Sequence, residues 1–117
     1  MIDSKKIAER LRQFARERDW EQFHTPKNLA TSISVEAAEL LELFQWSRGQ
    51  HDWADVSDPK VKQRVEEELA DILIYLIRFS DLASIDLQRA AEMKIESNAV
   101  KYPPEKARGS DKKYTEQ

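Results

Sequence analysis

Cysteine is absent from the 117 residues. That excludes disulfides and any metal site built on thiolates. Glycine is nearly absent too, with 2 residues, and proline is sparse at 4. A β sandwich or barrel needs many turn residues, so this scarcity argues against one. No apolar run approaches the roughly 20 residues of a membrane span. Met1 to Arg12 also lacks the apolar stretch of a secretory signal, and a cytoplasmic protein is expected. Nor is there an excess of charge of one sign. With 22 acidic and 19 basic residues the net charge is -3, so no basic surface for a nucleic-acid polymer is foreseen. No solenoid-type repeat is visible.

What remains is a mixture in which apolar residues make up 40% and mostly recur three and four apart. This is the spacing of amphipathic helices. Four are predicted. The first runs from about Ser4 to Arg18, with Ile7, Leu11, Phe14 and Ala15 on one stripe and Asp3 or Ser4 as cap. The aromatic-rich connection Trp20 to His24 follows. Thr25-Pro26 then opens a second helix, since threonine caps and proline is tolerated at the first helical position. That helix is expected to reach about Trp46, where Ser47-Arg48-Gly49 stops it. Gln50 to Ser57 reads as a loop carrying His51 and Trp53, and neither receives a role. Arg48 reads as a solvated residue at the helix end. Asp58-Pro59 repeats the start signal, and the third helix extends to about Leu82. The fourth begins near Ser84 or Asp86 and ends before Pro103-Pro104. Residues 105–117 are polar and lack an apolar period, which predicts a mobile tail beside a domain spanning residues 1–104.

The second and third helices share a pattern. Glu36-Ala37-Ala38-Glu39-Leu40-Leu41 is echoed by Glu68-Leu69-Ala70-Asp71-Ile72-Leu73, and Leu29, Ile33 and Phe44 are echoed by Val61, Val65 and Leu76. A pseudo-symmetric antiparallel pair is expected. On a wheel of about 100° per residue, Glu36 falls among Leu29, Ile33, Leu40, Leu43 and Phe44, with Glu39 at the edge of that arc. Glu68 likewise falls among Val61, Val65, Ile72, Tyr75 and Phe79, with Asp71 at the edge. Glu42, Glu66 and Glu67 point elsewhere.

An ionised carboxylate facing a core costs several kcal/mol unless something compensates it. Four acids brought together by facing stripes would also repel one another. A divalent cation resolves both conflicts, and oxygen-only donors favour Mg²⁺ or Mn²⁺ over Zn²⁺. The alternative at this point is that the acids form ordinary solvated helix faces.

At these residues the chain resembles the MazG-like all-α nucleoside triphosphate pyrophosphohydrolases, whose signature is ExxE followed by ExxD. Here the two pairs are Glu36 with Glu39 and Glu68 with Asp71. Four segments are similar to one branch of that group, the dCTP pyrophosphatases: Glu17 to His24 (ERDWEQFH), Glu39 to Trp46 (ELLELFQW), Glu68 to Leu76 (ELADILIYL) and Lys94 to Pro103 (KIESNAVKYP). Together they extend the resemblance over about residues 5–104.

The resemblance implies an all-α, four-helix bundle-like protomer. It implies that Glu36, Glu39, Glu68 and Asp71 hold Mg²⁺ (with Mn²⁺ possible) and that a nucleoside triphosphate is split into monophosphate and diphosphate. Glu36 and Glu39 would be catalytic, with Glu39 as the base. It further implies that Trp20 and Trp46 sandwich the nucleobase, with His24 beside them. On the fourth helix, Lys94, Asn98 and Tyr102 would reach the nucleotide. From residue type alone, the tryptophans could equally plug the ends of a core, and the polar stretch of the fourth helix could simply emerge into solvent.

By the same resemblance a homo-oligomer is expected, a tetramer built as a dimer of dimers rather than a dimer. The apolar residues Ile74 and Ile77, outside the arc of Leu69 and Ile72, offer some support. Two other functions stay open: a MazG-like enzyme with broad specificity for triphosphates, and a non-catalytic helical interaction module.

Overall fold

The computed structural model describes residues 1–47 and 53–116. Arg48, Gly49, Gln50 and His51, on which the expected helix stop and part of the loop fell, lie outside the described residues. Six α-helices are seen, with no strand among the described residues: α1 (Ser4–Glu17), α2 (Pro26–Glu42), α3 (Ala54–Ser57), α4 (Pro59–Leu82), α5 (Leu87–Lys101) and α6 (Pro104–Ala107). The chain divides into two compact units, Met1–Ser84 and Ile85–Gln117.

The helix starts follow the capping signals in the sequence. Side chains of Asp3, Thr25, Asp58 and Asp86 accept hydrogen bonds from the backbone N–H of Lys6, Asn28, Lys60 and Arg89. Each thereby satisfies one of the donors that a helix start leaves open. Pro26 and Pro59 occupy first-turn positions, where no N–H is needed.

The end of α1 is set by a hydrogen-bonding pattern rather than by glycine. Asp19 takes φ 52°, its N–H donates to Arg16 O at 3.2 Å, and Trp20 N–H donates to Ala15 O at 2.9 Å. This is a Schellman motif with aspartate in the left-handed position. It folds Trp20 back against Phe14, edge to face, with ring centroids 5.7 Å apart. The Arg18 guanidinium covers the Phe14 ring at 3.6 Å.

Three elements depart from the sequence reading. The α-helical part of α2 stops at Glu42 rather than near Trp46. Beyond it, Phe44, Gln45 and Ser47 donate to Leu41, Glu42 and Phe44 carbonyls at 2.9, 3.2 and 3.0 Å, the tightened i→i+3 pattern common at helix ends. Ala54 to Ser57 of the expected loop forms the short helix α3, with Asp55 in its first turn. The polar tail contains α6, which starts at Pro104, and a 3₁₀ turn over Tyr114–Glu116.

Within the first unit α4 is the central element, packed by α2, α1 and α3. His24, just before α2, meets Arg78 of α4, while Glu36 further along α2 meets the earlier Glu68. Contacts that run forward on one helix and backward on the other make the pair antiparallel, as the echoed pattern predicted. The buried apolar set is small: Ala8, Ala15, Leu29, Val65 and Ile77. Ile77, expected as an apolar residue left for a neighbouring subunit, is buried within the chain itself. Val35, Leu41, Leu69 and Trp53 remain exposed. In the second unit no residue of α5 is buried, and Met93, Ile95 and Val100 are exposed. Among the described residues no helix is long and apolar enough to cross a membrane.

Candidate metal centre and its surroundings

The α2–α4 pair brings three of the four singled-out acids together. Glu36, Glu39 and Glu68 each offer a carboxylate oxygen, and these atoms lie within 4.8 Å of one another. Glu36 and Glu68 are half-buried and Glu39 is exposed. The wheel foresaw this arrangement, with the first acid of each pair inside the apolar stripe and Glu39 at the rim. Asp71 is half-buried one turn beyond Glu68. It stays outside the group of three, yet its charge acts on Glu36. Glu42, Glu66 and Glu67 are exposed, as their wheel positions required.

The electrostatics of the cluster are unfavourable when no cation is bound. Glu36 is pushed up from 4.5 to about 7. The largest cause is the Glu68 carboxyl, to which a protonated Glu36 can donate; burial follows, then the neighbouring Glu39 and Asp71 charges. Oε2 of Glu36 and Oε2 of Glu68 are buried and lack a hydrogen-bond partner. Buried polar atoms are ordinarily satisfied. Two such orphans on facing helices, both strong acceptors, suit a hard cation that takes oxygen donors. The donor set therefore fits a divalent metal.

A second polar assembly lies farther along α4. The Arg78 side chain is nearly inaccessible, with the residue 4% exposed. Its Nε–H donates to His24 Nδ1 at 3.0 Å, and its Nη1 lies 3.9 Å from Asp81 Oδ2. Asp81 is in turn gripped by Arg12 of α1, through Nε at 2.8 Å and Nη2 at 2.6 Å. The Arg12 hydrogen bonds hold the Asp81 carboxyl below its usual value, and those same contacts raise Arg12. Burial, and then the Arg78 charge, lower His24. Arg78 was missed in the sequence, although a signal existed: one arginine interrupts the apolar run Ile72 to Phe79, with an aspartate three residues on.

Of the aromatic candidates, Trp20 is 45% exposed and Trp46 is 89% exposed. Neither plugs the end of a core. His24 is half-buried and lines a cavity of about 140 Å³ with Pro26, Leu29, Phe79, Leu82 and Ala83. Lys94, Asn98 and Tyr102 belong to the second unit. Lys94 and Asn98 are exposed on α5, and Tyr102 caps that helix, its N–H donating to Asn98 O at 2.8 Å.

Residues 31–116, which include both acid pairs, match the MazG-like family. The chain belongs to the MazG-like family. This MazG-like chain is 43% identical over 104 residues to a protein of Rattus norvegicus named dCTP pyrophosphatase 1, a match covering 89% of the chain and 61% of the relative. The Homo sapiens protein of that name is 42% identical, with the same 89% and 61% coverage. The chain thus spans 61% of the length of these curated relatives. Among solved structures, it is similar to a pyrophosphatase of Archaeoglobus fulgidus DSM 4304, with TM-score 0.78 and 46% identity over 85% of this chain and 91% of that one. The all-α fold expected from the resemblance is therefore the fold of this MazG-like chain.

Proposed function

We propose that this chain hydrolyses nucleoside triphosphates between the α- and β-phosphates, with dCTP as substrate and dCMP and diphosphate as products. The observation that carries the proposal is the meeting of Glu36, Glu39 and Glu68 oxygens, two of their carboxylates holding buried, unpartnered atoms. The names of the rat and human relatives support dCTP as the substrate.

Glu36, Glu39, Glu68 and Asp71 would hold Mg²⁺, and Mn²⁺ suits the same donors. When bound, the cation supplies charge neutralisation at the phosphoryl oxygens and a lowered water pKa. Glu39, the exposed member of the cluster, is free to take the proton of the attacking water, while Glu36 is half-buried. Trp20 and Trp46 present ring faces to the base, and His24 adds a polar contact beside them. Lys94 serves phosphate, and Asn98 and Tyr102 serve base or sugar.

The domain comprises residues 1–104, with 105–117 as an appended tail. The small set of buried apolar side chains supports a homo-oligomer, and a dimer of dimers is preferred. In the cell this is a cytoplasmic nucleotide-pool housecleaning enzyme.

Diphosphate release from a panel of dNTPs and NTPs, with Mg²⁺ and with EDTA, tests the proposal. Turnover of dCTP alone, abolished by EDTA, is expected. Turnover of many triphosphates would replace it with the broad-specificity reading. A helical interaction module is favoured by one observation, the exposure of Trp46 and Trp53. That reading predicts no turnover and no cation dependence.

A further inference from the structure

A buried guanidinium is costly unless it has a counter-charge and hydrogen-bond partners. Arg78 meets that cost with two partners of different kinds. Asp81 supplies the counter-charge, 3.9 Å away, and is itself clamped by two Arg12 hydrogen bonds. His24 supplies a ring nitrogen at 3.0 Å.

The second contact has a chemical consequence. Arginine is always protonated and has no acceptor, so Nε can only donate. His24 Nδ1 must therefore present its lone pair, which leaves the ring neutral with its proton on Nε2. A protonated imidazolium would instead set two N–H groups, and two positive charges, against each other. The ring is thus fixed in tautomer and in orientation. His24 also lines a cavity whose remaining walls are apolar: Pro26, Leu29, Phe79, Leu82 and Ala83.

We propose that Arg78 is a positioning residue which locks His24 as a neutral Nε2–H donor, so that His24 meets the nucleotide as a hydrogen-bond donor rather than as a cation. This rests on the nucleotide-binding role of His24 proposed above. The chain Arg12–Asp81–Arg78–His24 runs from α1 through α4 to the segment before α2. It ties the orientation of one ligand-facing ring to the packing of the first unit.

Two experiments test the proposal. Nitrogen NMR of ¹⁵N-labelled protein, with the two histidines told apart by a His51→Asn variant, should find His24 Nδ1 unprotonated and a scalar coupling across the Arg78 Nε–H···Nδ1 bond. The coupling should vanish in Arg78→Met. A protonated Nδ1 or a missing coupling in the unmodified protein would overturn the assignment.

In kinetics with dCTP, Arg78→Met should raise KM about fivefold to tenfold, the worth of one hydrogen bond, with kcat changed less than about twofold. His24→Gln and His24→Asn provide a comparison that leaves Arg78 in place. Glutamine carries a donor near the Nε2 position and asparagine does not. KM should rise less for glutamine, which keeps the donor but loses the acceptor that Arg78 holds, than for asparagine, which lacks the donor. Equal effects of the two would overturn the donor role. If the unmodified protein hydrolyses no triphosphate, the nucleotide reading fails, and the ligand part of this proposal with it. The NMR result then still decides the Arg78–His24 contact, so the two failures are distinguishable.

Discussion

The Oε2 atoms of Glu36 and Glu68 are both shut off from solvent, and neither has a hydrogen-bond partner. They stand on facing helices, each in the apolar stripe of its own helix. Such a relationship is unfavourable for the cation-free fold and favourable for an ion that needs oxygen donors. Function and stability should therefore respond in opposite directions when it is disturbed.

Glu36→Gln is expected to abolish dCTP turnover while stabilising the cation-free protein. The sign follows from the raised value of Glu36. Its carboxyl titrates near 7 in the folded chain against 4.5 ordinarily. The folded state then holds more protons than the unfolded one between those values, so this group's contribution to stability falls as pH rises through that window. The advantage of the glutamine variant should grow from about pH 4.5 to 7 and then level off. Solvent screening of a half-exposed pair keeps its size on the order of 1–2 kcal/mol. Melting curves of both proteins in EDTA across this range check it; a difference that does not vary with pH would contradict it.

The same proton should compete with the cation. Binding of Mg²⁺ at pH 6.5 is expected to release roughly three-quarters of a proton, and apparent affinity should weaken as pH falls below about 7, where Glu36 takes up its proton. Titration calorimetry in buffers of different ionisation enthalpy measures the release. Equal heats in all buffers would mean that the cation does not displace a proton from Glu36.

Much of this centre was legible before any coordinates. Helix starts were readable because Thr25, Asp58 and Asp86 satisfy backbone donors locally, and local chemistry is visible in a single sequence. The placement of Glu36 and Glu68 was readable because a helix repeats at fixed angles. The Arg12–Asp81–Arg78–His24 assembly was not foreseen, since it joins residues from three separate segments and depends on how α1 and α2 lie on α4. The separation of Asp71 from the close group of three was equally beyond the wheel, which gives directions but no distances. The end of α2 differed because the turns after Glu42 keep helical character with i→i+3 bonds, which apolar spacing does not distinguish from an α-helix.

Asp81→Asn should lower stability by about 3 kcal/mol, since it leaves the buried Arg78 without its counter-charge. Acid sensitivity is expected as well. Arg12 holds the Asp81 carboxyl below 3.8, so its contribution is complete above that pH and is lost as pH falls through the lower folded value. The asparagine variant should show a shallower loss of stability below about pH 4. Urea unfolding of both proteins from pH 2.5 to 7 provides the comparison, and parallel curves throughout would show that Asp81 contributes nothing through its charge.

Trp20→Ala tests the proposed base sandwich. One stacked ring is worth about 1–3 kcal/mol, so KM for dCTP should rise at least fivefold, and the preference over other triphosphates should shrink. Because Trp20 is 45% exposed, the cost in stability should be small, about 1 kcal/mol. Specificity ratios measured by diphosphate release decide it. Retained preference for cytosine would remove Trp20 from base recognition and leave it as the aromatic partner of Phe14.

The turn that delivers Trp20 can be tested separately from the ring. Asp19 occupies a left-handed position at φ 52°, a conformation that costs an L-residue roughly 1–2 kcal/mol, less for aspartate. Glycine adopts it without that steric penalty but loses more chain entropy on folding, about 0.5–1 kcal/mol. Asp19→Gly also removes the exposed bond from Gln22 Nε2 to Asp19 Oδ2 at 3.2 Å, while the bond to the Asp19 carbonyl at 3.0 Å can persist. The balance is a change within about 0.5 kcal/mol and unaltered dCTP kinetics, because the Schellman bonds that aim Trp20 use backbone atoms alone. Asp19→Val places a β-branched side chain where φ is positive, and should cost about 2 kcal/mol and raise KM together with Trp20→Ala. If the valine variant lost stability but kept KM, the orientation of Trp20 would be independent of this turn.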